Sequence, residues 1–80
     1  MSLELLGAKK CVGLKQSLKA VKDGAAKTAY IAADAEERVV RPFRQVCMEK
    51  GVEVVEVSTM KELGHACGID IGSAVAVVLA

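Results

Sequence analysis

Aromatic residues are scarce in this chain. Among its 80 residues only Tyr30 and Phe43 are aromatic, and there is a single proline and no tryptophan. This composition disfavours domains that bind nucleic acid by stacking bases on aromatic side chains. The apolar 52% of the chain is mainly alanine, valine, leucine and isoleucine. We therefore expect one small aliphatic core and a single domain spanning residues 1–80.

Patterns typical of catalytic, metal and nucleotide sites are also missing. Cys11, Cys47 and Cys67 never stand at Cys-x-x-Cys spacing, so we expect reduced cysteines, with neither a disulfide framework nor a zinc site. The glycines form no phosphate-binding fingerprint. His65 is the only histidine, and on a helix it would not face Cys67 two residues later. The expectation is no enzyme activity, no cofactor and no metal.

No apolar run reaches the roughly 18 residues that a membrane-spanning helix needs. The first residues, 1–4, lack the basic and apolar pattern of a secretory signal. We therefore expect a cytoplasmic protein without a membrane partner.

The formal net charge of +1 conceals an uneven distribution. Residues 1–27 carry six lysines against Glu4 and Asp23, whereas the remainder of the chain is net negative. A locally basic end suits an anionic partner even when the whole chain is almost neutral.

Residues 14–22 have the pattern of an amphipathic helix. Apolar and cationic residues both recur at i, i+4 and i+7; the apolar ones are Leu14, Leu18 and Val21, and the lysines are Lys15, Lys19 and Lys22. Most lysine rows of this kind are solvated surface. The alternative is a phosphate-binding surface, because Gly13 lets an anion approach the helix start and the Gln16 amide could read base edges.

Hydrophobic periodicity and turn residues predict the other elements. They are a short helix near Leu3 to Leu6, an edge strand at Cys11-Val12, strands at 28–33, 52–57 and 74–79, a helical turn at 36–40, a separate helix from Pro42 to about Gly51, and a helix from the Thr59 capping box to about Cys67. This alternation predicts an α/β fold, a three-layer α/β/α sandwich with a small four-stranded mixed sheet.

The segment Ile69-Asp70-Ile71 lies in the predicted loop before the last strand. Its isoleucines could tuck under the core, or they could form an apolar platform for unstacked bases. The second interpretation gains weight only if this loop lies beside the start of the lysine helix.

Three blocks, at residues 13–19, 33–35 and 60–74, resemble the ribosomal protein L7Ae family, which includes L30e and short bacterial members. The resemblance runs from about Leu5 to Leu79. It implies binding to kink-turn RNA, an internal loop sharply bent at tandem sheared G·A pairs beside a bulge. The implied RNA-binding residues are Gly13, Leu14, Lys15, Gln16, Lys19, Asp34, Ile69, Asp70, Ile71 and Gly72.

The chain departs from the archaeal pattern of the family at the helix start. Archaeal members typically read Gly-Thr-Asn-Glu where this chain has Gly13-Leu14-Lys15-Gln16. A carboxylate that accepts from guanine is thus replaced by the Gln16 amide, which is a weaker acceptor. The short bacterial members are similar at these positions, which favours a bacterial source.

The resemblance therefore implies a protein that binds kink-turn RNA, such as a kink-turn of ribosomal RNA, and stabilises its bent form. We expect a monomer that does not bind DNA. It would be ribosome-associated or regulatory. The alternative is a protein-interaction module of the same fold, whose lysine row docks an acidic protein surface. A small enzyme using His65 or a cysteine is the third possibility.

Overall fold

A computed structural model describes residues 9–80 of the chain, which form four strands and three helices. In chain order these are β1 (Lys10–Val12), α1 (Leu14–Lys22), β2 (Ala26–Ala32), α2 (Glu37–Lys50), β3 (Glu53–Val57), α3 (Met60–Ala66) and β4 (Val75–Leu79). The short helix expected near residues 3–6 lies outside the described residues. The other elements follow the prediction closely, with one exception in α2.

The four strands form one mixed sheet in the order β1-β4-β2-β3. β4 is antiparallel to both of its neighbours, while β2 and β3 are parallel. Consequently β1, β2 and β3 all run in one direction and end at the same edge of the sheet, where β4 begins. The predicted mixed sheet, with β1 as one of its two outermost strands, is confirmed.

The core has two parts, one on each face of the sheet. On one face α1 and α2 pack around Phe43, Ile31 and Val77, and on the other α3 packs Leu63 against Tyr30. β4 lies between the two layers, and four of its five residues are buried. This arrangement confirms the three-layer α/β/α sandwich.

α1 has the amphipathic character that its sequence predicts. Its buried side is formed by Ser17, Ala20 and Val21, and the Ser17 hydroxyl donates to the Cys11 carbonyl oxygen at 3.3 Å. The lysine row lies on the opposite side and is exposed. Burial of one side thus orients the row toward solvent.

The prediction that Pro42 separates two helical pieces is wrong, because α2 is continuous and contains Pro42 as its sixth residue. The backbone hydrogen bond that proline removes would end on the Arg38 carbonyl, near the exposed helix start. Val40 and Phe43, on either side of the proline, are buried in one core cluster. Burying such side chains contributes about 1.5–3 kcal/mol each, which offsets a proline penalty of about 3 kcal/mol.

We expect Pro42→Ala to stabilise the protein by about 2 kcal/mol. Alanine restores the backbone donor and removes the ring clash, worth about 3 kcal/mol, while the more flexible unfolded chain takes back about 0.4–1 kcal/mol. Urea unfolding measures the change. Gln45→Ala, at an exposed position of the same helix, should stay within about 0.5 kcal/mol of the parent. A less stable Pro42→Ala protein would contradict this account of α2.

Candidate functional site

The candidate site lies at the edge of the sheet where β1, β2 and β3 end and β4 begins. Four segments meet there: the start of α1 at Gly13, the β2–α2 loop at residues 33–36, the start of α3 at Met60, and the loop at residues 67–74. The start of α1 and the loop at residues 67–74 carry most of the residues that the sequence predicts to bind RNA. The strand order, rather than closeness along the chain, brings these segments together.

The carbonyl oxygen of Val75 connects the helix start to the predicted loop. It accepts a hydrogen bond from the Gly13 N–H at 3.0 Å and another from the Ser73 hydroxyl at 2.7 Å. The Ala74 carbonyl next to it accepts from the Ala32 N–H at 2.9 Å. The loop therefore ends beside the start of α1, which is the condition under which its isoleucines could act together with the lysine helix.

The first turn of α1 presents an uncompensated positive end. Gly13 is the N-cap, it has no side chain to accept from the following N–H groups, and the first turn contains no acidic residue. Its φ of 96° lies in a region that side chains with a Cβ rarely adopt. Free N–H groups and the helix dipole both favour an anion at this position.

The side chains of the first two turns divide into a polar and an apolar set. Lys15, Gln16 and Lys19 are exposed, whereas Leu14 is half-buried and packs against the core. Of the predicted residues on α1, the cations and the amide are therefore open to a partner. The Leu14 side chain mainly contributes to packing.

The isoleucines of the loop are not equivalent. Ile69 is half-buried, whereas the Ile71 side chain is 75% exposed and is one of three large exposed hydrophobic residues in the described part of the chain. Asp70, between them, is exposed, as is Gly72. The half-buried Ile69 agrees with the interpretation that the isoleucines tuck under the core. Ile71 provides the exposed apolar surface that a platform for unstacked bases requires.

Asp34, another predicted binding residue, makes a contact within the fold. Its Oδ1 accepts from the Met60 N–H at 2.7 Å, so the carboxylate caps the start of α3 together with the Thr59 hydroxyl, which accepts from the Glu62 N–H at 3.0 Å. The Met60 carbonyl in turn accepts from the Ser73 N–H at 3.0 Å. Asp34 thus helps to position the loop through α3.

Gly64, in the middle of α3, is a positioning residue that the local sequence pattern does not single out. A Cβ at this position would overlap the Ile71 carbonyl oxygen and lie 3.0 Å from the Ile71 carbonyl carbon. The backbone of the loop therefore lies directly on α3. A glycine inside a helix costs about 1 kcal/mol relative to alanine, and this cost was the local signal that could have indicated a close contact.

Two of the three cysteines, Cys47 and Cys67, are buried. Burial raises the pKa of both the Cys47 and Cys67 thiols, against smaller opposing effects of Arg44 and Lys10, so both remain protonated near neutral pH. His65 is exposed. Residues 9–80 contain no cluster of side chains able to hold a metal ion and no helix long and apolar enough to span a bilayer.

The described residues thus form a small three-layer α/β/α domain with a cationic helix start beside a loop that exposes Ile71. Residues 7–80 match the ribosomal protein L7Ae/L30e/S12e/Gadd45 family, and the chain belongs to that family. The resemblance seen in the three sequence blocks is thereby confirmed.

Individual relatives agree with this assignment. The chain is 53% identical over 68 residues to an RNA-binding protein of Caldanaerobacter subterraneus, covering 85% of this chain and 83% of the relative. It is 41% identical to the large ribosomal subunit protein eL8 of Halobacterium salinarum, covering 85% of this chain and 58% of the longer relative. The solved structure of a Giardia lamblia 15.5 kD RNA-binding protein superposes with a TM-score of 0.86 at 30% identity, over 98% of this chain and 70% of that one. These names describe RNA-binding and ribosomal proteins rather than enzymes.

We expect Gly64→Ala to destabilise the protein, although the same change in an open helix would stabilise it by about 1 kcal/mol. The new methyl group would meet the Ile71 backbone, and overpacking of this kind costs about 1–3 kcal/mol or more. Urea unfolding gives the stability, and amide chemical shifts report the displacement of residues 69–72. Lys61→Ala, at an exposed position of α3, is the matched control. Unchanged stability and unchanged loop shifts would refute the proposed contact.

Proposed function

We propose that this protein binds kink-turn RNA and stabilises its bent form. It would act as a single-domain monomer in the bacterial cytoplasm, ribosome-associated or as an RNA regulator. The observation that carries the proposal is the junction at Val75, which holds the cationic start of α1 beside the loop that exposes Ile71. Membership of a family with RNA-binding relatives supports RNA as the partner.

The residues of α1 would divide the work between charge and base recognition. Lys15 and Lys19 are exposed ammonium groups on one side of the helix, suited to phosphates. Gln16, beside Lys19, offers one acceptor and two donors to the edges of the G·A pairs. Since phosphate contacts carry no sequence information by themselves, Gln16 would provide most of the discrimination made by this helix.

The loop would supply the second half of the site. A kink-turn has a bulge whose bases are unstacked, and unstacked bases need an apolar surface to cover them. Ile71 provides such a surface, and its backbone is supported from below by Gly64. Asp70 would accept hydrogen bonds from base or ribose donors.

A protein stabilises one RNA conformation only by binding it more tightly than the alternatives. Helix and loop are both attached to the sheet edge through Val75 and Ala74. An RNA that presents its G·A pairs and its bulge at matching positions would engage both halves. An extended RNA would engage one half at a time and bind more weakly.

The central test compares a kink-turn RNA with a control whose G·A pairs are changed to Watson–Crick pairs. Each lost base contact costs about 1–3 kcal/mol, so we expect the control to bind at least about tenfold more weakly. Titration of fluorescently labelled RNA measures both affinities, and energy transfer between the ends of the two stems reports bending. Equal affinities for the two RNAs would exclude the proposal.

Two substitutions on α1 separate charge from base recognition. Gln16→Ala should reduce the ratio between the two RNA affinities while leaving the salt dependence unchanged. Lys19→Gln should weaken binding of both RNAs and reduce the slope of log affinity against log salt by about 0.7–0.9. Affinities measured across a salt series give both quantities. Identical behaviour of the two variants would contradict this division of roles.

A further inference from the structure

The arginines of α2 and the lysines of α1 differ in whether they form ion pairs. Each of the three arginines lies on α2 and has a glutamate partner: Arg38 with Glu36 at 3.0 Å, Arg41 with Glu37 at 3.9 Å and Arg44 with Glu56 at 3.1 Å. By contrast, the exposed lysines of α1 have no ion-pair partner among residues 9–80. The outer surface of α2 is thus largely neutralised, and the exposed side of α1 is not.

The unpaired charge extends beyond the candidate site. Lys22 belongs to the same row as Lys15 and Lys19 but lies in the last turn of α1, about 10 Å along the helix axis from Lys15. Exposed charges are screened over about 8 Å at physiological salt. An RNA that touched only the start of α1 would therefore interact weakly with Lys22.

Lys9 adds a cation at the same end of the domain. It directly precedes the edge strand β1, and its carbonyl accepts from the Leu79 N–H at 2.9 Å. Cys11 packs against the core on the α1 face of the sheet, so alternation along the strand assigns Lys9 to that face as well. α1 runs back from Gly13 toward this end, which brings Lys22 and Lys9 to the same end of the sheet.

We propose that the RNA-binding surface continues along α1, and that Lys22 and Lys9 bind the phosphate backbone of a duplex stem leaving the bent motif. The four lysines Lys15, Lys19, Lys22 and Lys9 form what we term the lysine track. This inference rests on the proposed function, which places the bent motif at the start of α1. It adds the class of RNA element that continues from there.

An RNA backbone fits the lysine track better than an acidic protein does. Protein interfaces are depleted in lysine and have an apolar centre, whereas nucleic-acid interfaces are polar and strongly positive. The large exposed hydrophobic residues among those described are Met48, Val55 and Ile71, and none of them is on α1. The exposed side of α1 therefore offers charge without an apolar centre.

The test measures Lys22→Gln on kink-turn RNAs in which one stem or the other is shortened base pair by base pair. With full-length stems, we expect the salt slope to fall by about 0.7–0.9, which corresponds to about a five- to eightfold loss of affinity at 0.1 M salt. This loss of affinity should disappear when the RNA stem that runs along α1 is shortened so that it no longer reaches Lys22. The double variant Lys9→Gln/Lys22→Gln should lose affinity further on the same RNA.

Lys50→Gln is the matched control, because Lys50 is also an exposed lysine in the last turn of a helix, but on α2. It should bind all RNAs like the parent protein. If Lys22→Gln binds full-length stems as tightly as the parent while Lys19→Gln binds more weakly, the lysine track is refuted and the proposed function stands. An acidic protein would then be the remaining candidate partner for Lys22. If kink-turn preference is missing but the stem-dependent effect of Lys22→Gln persists, the proposed function fails, and the lysine track is reduced to a surface that binds duplex RNA without a bent motif.

Discussion

The position of β4 is the constraint on which the site depends. This strand is buried on both faces, lies between β1 and β2, and runs against both. Its first carbonyl, that of Val75, accepts from Gly13 and from Ser73, so the start of α1 and the end of the loop are fixed to one atom. Because a shift of β4 by one residue would exchange its two buried faces, the core itself holds the site geometry in register.

Contacts with α3 hold the loop in place, although the loop has no regular secondary structure. Met60 links Asp34 to Ser73 through its own N–H and carbonyl, and Gly64 gives the Ile71 backbone a flat surface on α3. A loop that is ordered before binding does not lose that conformational freedom on binding, so more of its contact energy appears as affinity. The exposed Ile71 side chain is thus presented by a backbone that is already held on two sides.

Features encoded by local pattern could be predicted from the sequence, and features that depend on contacts between distant segments could not. The two sides of α1 follow from the i, i+4, i+7 repeats that begin at Leu14 and at Lys15, and the N-cap at Thr59 follows from residue identity alone. The prediction of a helix break at Pro42 is wrong, because the shared burial of Val40 and Phe43 outweighs the local cost of a proline inside a helix. The roles of Gly64 and Met60 depend on which segments meet, which the strand order determines. Local pattern therefore predicts the lysine helix and the isoleucine loop separately, and only the family resemblance predicts that they belong to one site.

The net charge of +1 is a poor guide to what this surface attracts, because pairing rather than number decides which cations act on a partner. On α2 the arginines are matched by glutamates within 4 Å, and such exposed pairs present little field to a distant phosphate. The α1 lysines have no such partners among residues 9–80, but charge alone would attract any RNA equally. Selection among RNAs would therefore come from groups that contact the bases, and the described site offers the Gln16 amide, the Asp70 carboxylate and the Ile71 side chain. The hydrogen bonds at Val75 hold the helix start beside the loop, so the protein would recognise an RNA shape that reaches both segments at once.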